Sequence, residues 1–99
     1  MEQIQKLINN HKIILFTKGN KVMPACQFSA IAINILQTLD VEFQICNVFE
    51  NDNIYKNIKE YSNWPTIPQL YINQKFIGGS DIMQELYNSG KLIKIITEK

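Results

Sequence analysis

The chain predicts a single α/β domain, a four-stranded mixed sheet flanked by helices, and three observations carry that prediction. Apolar residues change period along its length, from helical spacing to short runs and back, in the order α-β-α-β-α-β-β-α-α. A long helix separates the first two strands, so they form a parallel pair joined by a right-handed crossover. Only Asn73-Gln74 separates the last two, which therefore read as an antiparallel hairpin. At 99 residues the chain seldom divides into two cores, so residues 1–99 are taken as one domain.

Each element has its own signal. Ile4, Leu7 and Ile8 recur at helical spacing and place an amphipathic helix over residues 2–10. Ile13-Ile14-Leu15-Phe16 is an unbroken apolar run, suited to a strand buried on both faces. A loop through Lys18-Gly19-Asn20-Lys21 and Pro24 leads to the next helix. There Phe28, Ile31, Ala32, Ile35, Leu36 and Leu39 make one continuous apolar stripe. Residues 42–48 read as the second strand. Ile54, Ile58 and Tyr61 mark a third helix, capped by Asn51 or Asp52.

Prolines at 65 and 68 make Trp64-Pro65-Thr66-Ile67-Pro68 a non-helical connection. Gln69 to Ile72 and Lys75 to Ile77 form the hairpin arms, and the second arm ends at Gly78-Gly79. Ile82, Leu86 and Tyr87 belong to a helix that Gly90 stops; Leu92, Ile95 and Ile96 begin the last one.

Composition narrows the function. A formal net charge of +1, with no lysine or arginine run, argues against nucleic-acid or membrane-surface binding. No apolar stretch approaches membrane-spanning length, and residues 1–11 do not resemble a secretory signal. Two cysteines are too few for a disulfide scaffold, so a reducing cytosol or an organelle matrix is expected. One histidine and no paired Cys or His spacing make an all-protein zinc site improbable.

Cys26 is where the chemistry concentrates. It stands where helical periodicity begins, and a helix N-terminus offers unpaired N–H groups and a partial positive charge. Both favour thiolate, the nucleophilic form, and the Lys18 cation adds to the effect. An arbitrary cysteine is more often structural, and Cys46, within an apolar strand pattern, is read that way. Ser29 occupies the place of a resolving cysteine three residues on. A mixed disulfide on Cys26 would need a second thiol from outside, and glutathione is the abundant candidate.

Four segments carry a resemblance: Lys18-Gly19, Met23-Pro24-Ala25-Cys26-Gln27-Phe28-Ser29, Trp64-Pro65-Thr66-Ile67-Pro68-Gln69, and Gly78-Gly79-Ser80-Asp81. In order and spacing they resemble the monothiol glutaredoxins of the Cys-Gly-Phe-Ser type, across nearly the whole chain and nearest the short bacterial and organellar forms. The resemblance implies a thioredoxin-like fold and a glutathione groove. By it, Cys26 is the active thiol and Lys18 neutralises the thiolate or a glutathione carboxylate. Ile67–Pro68 is cis and presents the Ile67 backbone to glutathione. Gly79, Ser80 and Asp81 hold the γ-glutamyl end, with helix-start N–H groups for its carboxylate and Asp81 for its ammonium. Read without the family, Ser80 and Asp81 are plain helix caps.

The resemblance further implies a [2Fe-2S] cluster shared by two protomers and two glutathiones, with Cys26 as metal ligand, passed on to iron–sulfur acceptor or assembly proteins. The chain would be a monomer without the cluster and a homodimer with it. Two residues depart from the family pattern. Gln27 replaces glycine beside Cys26 and can crowd a cluster. Tyr55 stands where a basic residue usually meets the glycyl carboxylate, leaving a neutral donor unless Lys56 or Lys59 reaches the groove. The competing readings are a glutathione-dependent thiol–disulfide oxidoreductase using Cys26 as nucleophile, and an adaptor without thiol chemistry.

Overall fold

The computed structural model describes residues 1–98. Its elements are α1 (Glu2–Asn10), β1 (Ile13–Thr17), α2 (Gln27–Thr38), β2 (Gln44–Asn47), a single 3-10 turn (Val48–Glu50), α3 (Asp52–Ser62), β3 (Gln69–Ile72), β4 (Lys75–Gly78), α4 (Ser80–Asn88) and α5 (Lys91–Thr97). The strands lie in the order β2-β1-β3-β4. β2 is parallel to β1, whereas β3 runs antiparallel to both β1 and β4. This is the thioredoxin-like architecture expected from the element order.

The central strand shows why the fold has two cores. β1 is buried at every position, so its period-two alternation must supply both faces of the sheet. Ile13 and Leu15 join Ala32, Ile35, Leu36, Met83 and Leu92 beneath α2, α4 and α5. Ile14 and Phe16 point the other way, to Ile4, Ile8, Ile54 and Ile58 of α1 and α3. Phe16 meets Tyr71 edge-on at 5.7 Å, the geometry that aromatic quadrupoles prefer.

Local chemistry sets the boundaries. The Asn51 side chain caps α3 by accepting from the Ile54 N–H at 3.1 Å. Asn63, in the left-handed conformation at φ 55°, ends that helix. Asn73 and Gln74 both take positive φ, 50° and 70°, as the two-residue turn between β3 and β4 requires. The second strand is shorter than residues 42–48: Val48 is buried but lies in the 3-10 turn. There the Asn47 side chain accepts from the Phe49 N–H and diverts the backbone from the ladder. The α2 stripe also differs at its start, where Phe28 and Ile31 are 47% and 39% exposed. Among the described residues no helix is long and apolar enough to cross a membrane.

Candidate thiol and ligand site

The loop before α2 is built to hold Cys26. Thr17 Oγ1 donates to the Gly19 carbonyl at 2.6 Å, and the Gly19 N–H donates to Asn47 Oδ1 at 3.0 Å. The Ala25 N–H closes the loop on the Lys18 carbonyl at 2.9 Å. Asn20 Oδ1 accepts from the N–H groups of Val22 and Met23 at 3.0 and 2.7 Å. Gly19 has φ 88°, and a Cβ there would press into the Ala25 nitrogen and, at 2.6 Å, the Met23 carbonyl. Only glycine fits this position. Ser29, fully buried, accepts from the Lys18 N–H at 3.1 Å. The residue in the place of a resolving thiol thus ties the loop to the helix.

Cys26 is the N-cap of α2 in extended conformation, partly exposed, with no side-chain capping bond. Its thiol is held below its ordinary value of 9.0. The Ser29 backbone N–H is the chief cause; the Phe28 N–H, the Lys18 charge and the Ser29 hydroxyl act in the same direction, against the cost of partial burial. These groups stabilise negative charge on sulfur more than they stabilise the neutral thiol.

Cys26 opens onto a cleft of about 450 Å³, within the range of small-molecule sites. Lys18 and Phe28 stand on the thiol side, and the Trp64–Pro68 connection forms one wall. Gly79, Ser80, Asp81 and Ile82 complete the lining. The Ile67–Pro68 peptide is cis. Gln69, fully buried at the start of β3, braces that wall: its Nε2 donates to the carbonyls of Trp64 and Thr66, each at 3.1 Å.

The N-cap of α4 is Gly79, with no side-chain capping bond. Neither Ser80 nor Asp81 therefore serves as the cap, and the free N–H groups of this first turn adjoin the cleft. Two helix N-termini without side-chain caps, α2 and α4, thus border one cavity, an arrangement suited to anions. Gly79 keeps the floor low, because a Cβ there would stand 3.3 Å from the Pro68 carbonyl and 3.5 Å from Trp64 Nε1. That indole nitrogen is buried without a hydrogen-bond partner among the described residues.

The structure brings Lys18, Cys26, Ile67, Pro68, Gly79, Ser80 and Asp81 together around the cleft. Tyr55 is not among the residues that line the cleft, whereas Lys59, one helical turn further along α3, is. The Tyr55 ring packs against the α1–α3 core and Phe49 instead of facing the cavity. Ser29, Asn47 and Gln69 are supporting residues to which the sequence assigned no such role. Their signal is a polar side chain inside or beside an apolar run, which must find a partner when buried.

A thioredoxin-like domain with one activated thiol at a helix start, and no second thiol three residues on, defines a class of thiol protein. Comparison narrows it. Residues 13–77 match the glutaredoxin family model. The chain is 54% identical over 89 residues to a monothiol glutaredoxin of Porphyra purpurea, covering 90% of this chain and 83% of that protein. It is 46% identical over 96 residues to a probable monothiol glutaredoxin of Rickettsia typhi, covering 97% of this chain and 86% of that one. The solution structure of reduced poplar apo GrxS14 superposes with a TM-score of 0.81 at 44% identity, covering 94% of this chain and 85% of that one. The chain belongs to the glutaredoxin family, in its monothiol branch.

Proposed function

We propose that the cleft binds glutathione and that Cys26, with glutathione, holds a [2Fe-2S] cluster for transfer to acceptor proteins. The carrying observation is charge matching. Among charged side chains, the cleft is lined by Lys18, Lys59 and Asp81. Glutathione offers the reverse set, two carboxylates and one ammonium, with its thiol between them. The N–H groups at the start of α4 add a second partner for the γ-glutamyl carboxylate.

The donor set sets the stoichiometry. Among the described residues no group of three His, Cys, Asp or Glu side chains is placed to hold a metal. One protomer supplies one thiolate, Cys26, whereas such a cluster needs four ligands. Two protomers and two glutathiones complete the set, so the loaded form is a homodimer and the apo form a monomer. Gln27, exposed in the first turn of α2, avoids positive φ, so replacing glycine costs no backbone strain there. The reading places the chain in a reducing compartment, bacterial cytosol or organelle matrix. Anaerobic reconstitution with iron, sulfide and glutathione should give a coloured dimer on size exclusion, lost in Cys26→Ser. A colourless monomer from both wild type and Gln27→Gly would end this reading.

The lowered pKa of Cys26 favours a second reading, removal of glutathione from mixed disulfides. The thiolate attacks the glutathionyl sulfur, the substrate leaves as a thiolate, and a free glutathione then displaces Cys26 to give glutathione disulfide. Equal turnover by wild type and Cys26→Ser would exclude it.

A further inference from the structure

We propose that Tyr55 is a positioning residue, one that holds the Lys59 ammonium at the cleft wall through the face of its ring and makes no contact with the ligand itself. The inference rests on the glutathione reading and concerns how this chain binds the end of that ligand bearing the glycyl carboxylate.

Three observations carry it. Lys59 lines the cleft and Tyr55 does not. Lys59 Nζ lies 5.3 Å from the Tyr55 ring centroid, within cation–π range. The two are four residues apart on α3, so their side chains are neighbours along one face. The ring is itself fixed, because Phe49 meets it edge-on at 5.6 Å and its body packs against the α1–α3 core. Phe49, Tyr55 and Lys59 therefore form a chain that runs from the 3-10 turn to the cleft.

A lysine is a flexible stem with a point charge at its tip, and binding a carboxylate normally freezes that stem. Resting the ammonium on an aromatic face restricts it beforehand while leaving its remaining N–H donors free for the ligand. Tyr55 thus serves the carboxylate indirectly, and the phenol hydroxyl has no part in binding.

The test uses S-methylglutathione, which cannot react with Cys26, titrated into the apo protein and followed by backbone amide shifts. Tyr55→Met should weaken binding about two- to fivefold, the factor expected of a partly exposed cation–π contact. Tyr55→Phe should bind as wild type does, since the ring is kept. Lys59→Gln should weaken binding, and adding Tyr55→Met to it should cost nothing more. For the glycyl amide of the same ligand, which lacks the carboxylate, Tyr55→Met should have no effect. In unliganded wild type, the ring current of Tyr55 should move the Lys59 ε-methylene protons upfield. Additive losses in the double variant, loss in Tyr55→Phe, or unshifted Lys59 protons would each overturn the proposal. If no wild-type amide moves at saturating ligand, the glutathione reading itself is overturned, and this one with it.

Discussion

Cys26 stands at a helix start beside a cation, whereas Cys46 stands in the edge strand β2, packed against the core between the sheet and α1–α3. Backbone N–H groups and Lys18 pull the first thiol below 9.0. Burial, with the Glu50 charge, pushes the second up to about 11. The residue type is the same; backbone N–H groups favour the thiolate at one site, while burial and a nearby carboxylate disfavour it at the other. In α2 the unpaired donors converge on the side chain; in β2 the donors are directed along the sheet.

The sharpest way to break this contrast is limited alkylation at neutral pH, read by mass spectrometry. Cys26 should outpace Cys46 by at least about tenfold, because the lower nucleophilicity of the more acidic thiolate offsets part of its larger thiolate fraction. Its rate should reach half-maximum below pH 9.0. Comparable labelling of the two cysteines in the folded protein would dissolve the contrast.

The second test removes the scaffold of the reactive thiol. Gly19→Ala forces a Cβ into the Ala25 and Met23 backbone at φ 88°. It should cost about 2 kcal/mol or more of stability in urea unfolding, and slow Cys26 alkylation in the protein that remains folded.

The inert thiol predicts a pH effect of its own. An unfolded thiol ionises near 9.0, while folded Cys46 keeps its proton to about 11. The unfolded state thus releases its proton first, and this contribution to stability, intact below pH 9, is lost as pH rises through that window. Cys46→Val should show a shallower fall in melting temperature between pH 9 and 11 than wild type. The smallest expected effect is that of Lys18→Gln, which should raise the half-point of Cys26 alkylation only modestly. Lys18 ranks behind the backbone N–H groups among the causes of the shift.

Most of the frame was legible in the sequence because its signals are strong and local. The apolar run at 13–16 suits a doubly buried strand, which β1 is, and the helical stripes of α1 and α3 match the buried faces observed. Cys26 at the start of α2 was legible for the same reason. Less legible was anything depending on a side chain's direction at an element's end. Phe28 and Ile31 fit the α2 stripe by spacing, yet both are exposed near the start of the helix, and Phe28 borders the cleft. Tyr55 and Lys59 occupy one face of α3, so spacing alone leaves open which tip enters the cavity. Ser29 suggested a missing thiol in sequence; its work as an anchor for Lys18 depends on a contact eleven residues away.

The wall of the cleft has one more consequence. The chain contains a single tryptophan, Trp64, and it lines the cleft, tilted against Phe76 with its indole nitrogen unpaired among the described residues. Indole emission responds to the polarity and hydrogen bonding around the ring, and here it arises from one known place. The protein therefore carries an intrinsic optical gauge of cleft occupancy, so thiol modification and ligand entry can be followed in real time without a label.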